Sequence, residues 1–574
     1  QGGWQPGGQS GQDAGYSRPQ RERKPRKPIG TPLTRTLINL AVTAVVGLVY
    51  FYVELPALNP HAEEFYVFVF LLCAVYCGCA VLTSGFQGTG AKGYLGFVKK
   101  QCTVPFFVVI ALICAVAVGS IASWVVLRAG AYSKLLPLTT GDFASEVEEI
   151  RYNQIPMLDS DSAARLGSRK LGELADMVSQ FEILPSYTQI NYQGRPVRVT
   201  SLAYGDLIKW FTNRSNGLPA YIIIDMVTQE AEVVRLDEGM KYTTAEHFSR
   251  NLNRHLRFRY PTMMFDEPVF EIDEEGTPYW VCPRVVKTIG LFGGTTIQRV
   301  VLCNASTGEC QDFAIEDVPQ WVDRAYPAEL LIEQYNWSGA LSGGWINSWL
   351  GQNGVKQTTP STDGKSGFNY IAQDDDVWVY SGVTSATADN SIIGCVMINQ
   401  RTAESKFYSV AGATEESAMR SAEGQVQHLQ YDATFPLLIN VDGQPTYFMA
   451  LKDAAGLVKM YAMVDIQRYQ NVAVGDTLAA TEKSYKQLLV SQGINVGGSD
   501  ASAHPSAGST SGTIASISPV VLDGNSHYYL ILDGQQAIFD CPVASVVDVV
   551  RYKVGDVIVL NHGSSEGNVV LVDS

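Results

Sequence analysis

The sequence predicts an α+β protein with three N-terminal transmembrane helices, tandem small strand-hairpin-helix modules and a small C-terminal β-barrel. Three observations carry this reading. Apolar stretches at about Thr36 to Val53, Phe65 to Leu82 and Val104 to Leu127 approach or exceed the roughly 18 to 20 residues that cross a bilayer as a helix. A hairpin signature recurs as Asp225-x-x-Thr228-x-Glu230, Asn304-x-x-Thr307-x-Glu309 and Asn399-x-x-Thr402-x-Glu404. After residue 512, short β runs alternate with turns such as Asp533-Gly534 and Gly555-Asp556.

At 574 residues the chain exceeds the roughly 250 to 300 residues that one core sustains, so several domains are expected. Charged residues make up only 17% and hydrophobic ones 46%, which points to apolar segments near one end. The net charge of -15 hides an asymmetry: Arg18, Arg21, Arg23, Lys24, Arg26 and Lys27 face a single acid, Glu22, while the acidic excess lies after residue 140. Residues 1–33, rich in Gly, Gln, Pro and Arg, read as a disordered cytoplasmic arm. No Met opens the sequence, so it is read as open at that end.

Residues 34–128 hold the three spans. The first lacks a small-residue cleavage site and two more follow it, so it is read as an anchor rather than a signal peptide. Tyr50, Phe51, Tyr52, Phe65 and Tyr66 sit where amphipathic rings collect, at the water interface. The basic arm and Lys92, Lys99 and Lys100 flank one side, whereas the loop between the first two spans carries Glu54, His61, Glu63 and Glu64 and no Lys or Arg. Positive-inside orientation then puts the N-terminus in the cytoplasm and residues from about 130 onward outside the plasma membrane. Cys73, Cys77, Cys79 and Cys114 fall within spans, where small packing residues are a simpler reading than a metal site.

Residues 129–335 are expected to hold a helix with Leu166, Leu171, Leu174, Met177, Val178 and Phe181 on its apolar face, followed by two modules. Each module opens on a turn, Gly194-Arg195-Pro196 or Gly276-Thr277-Pro278, and runs into a strand. Two more fill 374–490, one entered through Asp374-Asp375-Asp376 and one through Gly443-Gln444-Pro445, the last with a degenerate hairpin at Asp465. Helices are expected after the hairpins, at a Thr243-x-x-Glu246 capping box, after Asp317, and after Thr414 and Thr477. Within the hairpins, Asn or Asp opens the turn through its side chain, Thr supplies β propensity and Glu flanks the turn, a local account that needs no ligand. Cys303 and Cys310 bracket the second hairpin and would face one another across its strands. They are read either as a disulfide in an oxidising exterior or as two partly buried thiols, with Cys282 a competing partner.

Strand pairs closing on N/D-x-x-T-x-E beside a helix resemble PepSY domains, whose usual ending is a "D…tGev" hairpin. Thr307-Gly308-Glu309 matches that ending most closely, while Thr228-Gln229-Glu230 and Thr402-Ala403-Glu404 lack the Gly. The resemblance implies extracytoplasmic, non-catalytic modules on a bacterial multi-span anchor, associated with binding or peptidase regulation at the cell surface. It carries over no catalytic residue.

Residues 336–373 read as a Gly- and Trp-rich connection whose Trp337, Trp345 and Trp349 either line a binding loop or cover sheet edges. Residues 491–511 read as a flexible linker and 512–574 as a barrel similar to an OB fold, with runs at Gly512 to Ile517, Tyr528 to Leu532, Gln536 to Phe539, Val546 to Val549, Asp556 to Leu560 and Val569 to Val572. Arg551 and Lys553 are too few cations for a nucleic-acid groove. The seven His show no zinc-hydrolase spacing, and neither a nucleophile elbow nor a phosphate loop occurs. Asp374-Asp375-Asp376 is read as a solvated acidic turn rather than a Ca²⁺ site. The expectation is therefore a non-catalytic envelope scaffold without cofactor, held in the lipid bilayer and presenting its modules to a protein or cell-wall partner. The alternatives are an accessory subunit of a membrane transporter or membrane enzyme, a regulator of an extracytoplasmic peptidase, and an enzyme of unrecognised type.

Overall fold

The computed structural model describes residues 28–86, 91–147, 155–156, 158, 160–174, 176–360, 367–373, 375–386, 391–492, 494, 508–522, 525–535, 537–543, 546–562 and 569–572. The basic run of the arm lies outside them, as does most of the 491–511 linker. The chain forms two compact units: Gln1–Asn440 with Pro445–Thr481, and Val441–Gln444 with Glu482–Ser574.

In the first unit, the helices Pro32–Glu54, Glu63–Ser84 and Thr103–Ala122 are long and apolar enough to cross a membrane. Thr31 caps the first, accepting the Thr34 N–H, and Pro32 occupies a first-turn position where its missing N–H costs nothing. Asn39, buried within the first helix, accepts a 3.0 Å hydrogen bond from Thr83 Oγ1 of the second. Such a bond is worth most where no water competes. Gly47 lets Leu72 pack against the helix backbone, since a Cβ there would sit 2.7 Å from its Cδ2.

The far end of the first helix, the loop after it and the end of the third all meet the second module. Arg254 Nε donates to Tyr52 O at 3.0 Å, Arg257 Nε to Leu55 O at 2.9 Å and Leu58 N to Pro261 O at 2.8 Å. At the third helix, buried Ser123 Oγ accepts the Leu291 and Phe292 N–H groups, both at 2.9 Å, and donates to Gly119 O at 2.7 Å. The end of the first helix, the loop after it and the end of the third helix therefore face one side, the side of the modules.

Four sheets follow with one shared topology. In the first, Phe181–Ile183 and Thr188–Tyr192 pair with the far and near halves of the long strand Arg195–Tyr204, which continues through Leu218–Asp225 to Ala231–Met240. The second repeats this with Met264–Phe265 and Val269–Ile272 on Pro278–Ile289, then Gly293–Asn304 and Cys310–Ala314. The third uses Lys356–Thr358 and Asn369–Gln373 on Asp376–Ser385, then Gly394–Asn399 and Ser405–Tyr408. The fourth uses Asp432–Ala433 and Leu437–Val441 on Gln444–Lys452, then Val458–Asp465 and Val472–Gly475. Identical pairing four times over is stronger evidence of repetition than the turn signature alone. The sheets are separate, and the edge of the third is covered by Leu138–Gly141, which pairs in parallel with Ser405–Tyr408.

Several elements differ from expectation. The helix expected to reach Phe181 spans Ser160–Gly172; the chain then turns, and Phe181 starts a strand. Thr243 and Glu246 form no capping box; Asn251 caps Leu252–Arg259 instead, and buried Glu246 accepts from Tyr204 Oη at 2.6 Å and Trp210 Nε1 at 2.8 Å. Asp317 ends a single 3₁₀ turn, and the helix of this region, Ala328–Leu341, begins only after Pro327. Its Leu331, Ile332 and Tyr335 pack with Val379, Val383, Val396 and Ile398 of the third sheet. The 336–373 stretch is no mere connection, because it supplies that sheet's first two strands. The caps expected at Thr414 and Thr477 are present, accepting from Ser417 N and Ala480 N.

The second unit contains a five-stranded sheet in the order Val557–His562, Gly508–Leu522, Asn525–Leu532, Ile538–Pro542, Val569–Leu571, the last pair parallel. Ile514, Leu530, Leu532, Phe539 and Leu560 form its core. Among the described residues the pairings form an open path rather than a closed barrel. The run expected as a strand at Val546 to Val549 is a 3₁₀ turn, Val547–Arg551.

Candidate functional site

The repeated hairpin is a backbone device. Asp225 Oδ1 accepts the N–H of Val227 and Thr228 at 2.8 and 2.9 Å. Asn304 does the same for Ser306 and Thr307 at 3.0 and 2.9 Å, and Asn399 for Arg401 and Thr402 at 2.8 and 2.9 Å. Thr228, Thr307 and Thr402 each accept the N–H of the following Glu through Oγ1, at 3.4, 3.2 and 3.2 Å. Between Thr and Glu, the chain takes a left-handed conformation at Gln229, Gly308 and Ala403. The residue after each Asn or Asp donates back to the opening turn: Met226 N to Pro196 O, Ala305 N to Pro278 O and Gln400 N to Val377 O, at 2.9 to 3.0 Å. Glu230, Glu309 and Glu404 are exposed on separate hairpins, so the structure does not bring the motif residues together.

The second hairpin carries something the others lack. Its strand register sets Cys303 directly opposite Cys310, and both side chains are buried as free thiols. His255 joins them from the helix Leu252–Arg259, whose buried Leu252 and Leu256 hold it against the sheet. The imidazole Nε2 donates to Gly308 O at 2.8 Å, and the ring packs on Tyr242 with centroids 4.8 Å apart. One donor atom each from His255, Cys303 and Cys310 lie within 4.8 Å of one another. Buried Cys282 lies in the same core.

The cluster's electrostatics are uneven. Cys310 is drawn down to about 5, first by its hydrogen bond from Cys303 and then by His255, against the opposing effect of burial. Cys303 is pushed up, first by sharing its proton with Cys310 and then by burial. The bond to Cys310 raises His255. The lowered Cys310 is favoured as a thiolate that accepts from the Cys303 thiol, with His255 beside it shifted toward its protonated form. These three donors could hold a soft cation, or the two thiols could be oxidised to a disulfide. The cysteine pair was visible in the sequence. His255 was missed, because the helix that delivers it belongs to an earlier stretch and nothing in its spacing marks a ligand.

A second polar group joins the first three modules. Buried Glu271 accepts the Asp323 and Arg324 N–H groups, both at 3.0 Å, while Asp323 Oδ2 accepts Asn191 N at 2.6 Å. Burial raises Glu271 to about 7; burial and the neighbouring Glu271 raise Asp323 well above the carboxylate range. Asn191 Nδ2 also reaches Asp375 Oδ1 at 2.9 Å. Asp376 is not part of a solvated turn: it is buried against Arg401, at 2.7 and 2.8 Å, and Asn399 Nδ2, at 2.7 Å. Asp374 lies outside the described residues.

No protein-family model and no curated protein matches the chain. Among solved structures, the chain has a likeness to an exo-beta-1,3-galactanase from Clostridium thermocellum, at 9% identity and a TM-score of 0.18. The match covers 62% of this chain and 61% of that one, and carries no argument about fold or activity.

Proposed function

We propose that the chain is a non-catalytic scaffold of the cell envelope, anchored in the plasma membrane with its N-terminus in the cytoplasm and its modules outside, where they present a composite surface to a protein or cell-wall partner. The observation that carries this reading is the join between membrane helices and modules. Arg254, Arg257, Leu58 and Ser123 tie the ends of the first and third helices and the loop after the first to the second module, and Asn191, Glu271, Asp323 and Asp375 tie that module to the first and third. A display surface fixed relative to the bilayer follows from such contacts. The repeated sheet topology supports the resemblance to PepSY domains, and the strand order of the second unit, with its parallel last pair, supports similarity to an OB fold.

Exposed apolar side chains support close seating on lipid. Leu207, Ile208, Phe211 and Phe248 are exposed; Phe211 and Phe248 flank Trp210, and Phe248 O accepts from Arg254, which also donates to Tyr52 O at the end of the first helix. Trp345, Ile346, Trp349 and Leu350 are exposed just past Leu341, which packs with Ala129 and Tyr132 close after the third helix. Aromatic and aliphatic side chains of this kind favour the headgroup boundary.

A second reading, an accessory subunit of a membrane transporter or membrane enzyme, is favoured by an apolar groove of about 460 Å³ between the second and third helices, lined by Tyr66, Phe70, Val109 and Val116. Crosslinking in native membranes followed by purification of the full chain in detergent separates the two. The scaffold reading expects crosslinks from the faces of the modules. A stoichiometric membrane partner crosslinked only through residues 34–128 would replace it with the accessory-subunit reading.

A further inference from the structure

We propose that His255, Cys303 and Cys310 form a binding site for a single thiophilic cation, Zn²⁺ being the expected occupant. The donor set is the first reason. Two sulfurs and one imidazole nitrogen, mutually within 4.8 Å, need only a small contraction to surround one ion, because ligands about 2.0 to 2.3 Å from zinc lie under about 4 Å apart. Soft sulfur with imidazole selects zinc or cuprous copper over the hard cations that carboxylates hold.

Preorganisation is the second reason. Register fixes Cys303 opposite Cys310, the turn between them is locked by Asn304, and His255 comes from a helix capped by Asn251 and anchored by Leu252 and Leu256. The imidazole is also held by Gly308 O, the kind of backbone contact that steadies histidine ligands. Gly308 itself has no room for a side chain, since a Cβ would lie 2.6 Å from the Tyr242 ring. With three protein donors, the fourth position falls to a water.

The test uses the full-length protein, purified in detergent under reductant and titrated with Co²⁺. Expected is one equivalent bound per chain, with a sulfur-to-cobalt charge-transfer band that Zn²⁺ abolishes. Cys303→Ser and Cys310→Ser should lose the band, His255→Ala should weaken binding at least about tenfold, and His255→Cys should retain it with stronger charge transfer. Cys395→Ser, a buried cysteine of the third sheet, should behave as the parent. Because a serine variant can also fail to fold, the parent's own titration is decisive. Reduced parent protein that takes up no Co²⁺ overturns the proposal, as does a band that survives Cys310→Ser. A Cys303–Cys310 disulfide found by mass spectrometry, together with failure of the reduced protein to bind Co²⁺, would assign the pair to oxidation instead.

Discussion

At the hairpins, one side-chain oxygen and one backbone angle set the turn. The left-handed position is Gly in the second hairpin but Gln229 and Ala403 in the first and third. An L side chain there costs about 1 to 2 kcal/mol, part of which glycine returns as chain entropy. Ala403→Gly should therefore stabilise by about 0.5 kcal/mol, whereas Gly308→Ala should destabilise by about 2 kcal/mol or more because Tyr242 blocks the added methyl. Denaturant titration of the purified chain reads both. The buried acids make a pH prediction. Glu271 titrates near 7 in the folded chain but near 4 when unfolded, so the folded state holds the extra proton across that window. Glu271's contribution to stability should fall as pH rises from about 4 to about 7, and Asp323, raised by burial and by Glu271, adds a loss of the same sign. Asp323→Asn removes the like charge while keeping an oxygen for the Asn191 N–H. Its unfolding midpoint should exceed the parent's at pH 8 by more than at pH 5; an equal difference at both values would contradict the electrostatic account.

The hydrogen bonds between elements carry more than the elements' own propensities. Ser123 illustrates this, since its hydroxyl accepts two backbone N–H groups from the Leu291–Phe292 turn. Ser123→Ala leaves both donors without that partner in a half-buried place and should cost about 2 to 4 kcal/mol, read as a lowered unfolding midpoint in detergent. Replacing Thr36, which is half-buried and bonds within its own helix to Pro32 O, should change little. Signals of this kind divide what could be read from the chain. The spans, the Thr414 and Thr477 caps, and the opening turns at Gly194, Gly276 and Gly443 rest on local chemistry and were legible. Asn369–Gln373 and Lys356–Thr358 were not, because their strand character comes from pairing with Asp376–Ser385 rather than from an apolar pattern of their own. The Thr243 and Glu246 spacing misled for the opposite reason: Tyr204 and Trp210 claim the carboxylate that a capping box would have used. His255 was illegible because only the folded packing of its helix against the second hairpin brings it to the sulfurs.

For the whole molecule, the account joins a three-helix membrane anchor to a compact set of repeated sheets. If the exposed Trp349 and Leu350 seat in lipid, Trp349→Asp should raise extraction of the chain by mild detergent and increase cleavage of the neighbouring turn by added protease, without lowering the unfolding midpoint of the solubilised protein. The central claim is the side of the membrane on which the modules stand. It is tested most directly by placing a cysteine at the exposed tip of the second opening turn, Glu274→Cys, and treating intact cells with a membrane-impermeant maleimide. The account predicts labelling before permeabilisation, with the buried native thiols unreactive. Labelling that appears only after the membrane is opened would put the modules in the cytoplasm and contradict it.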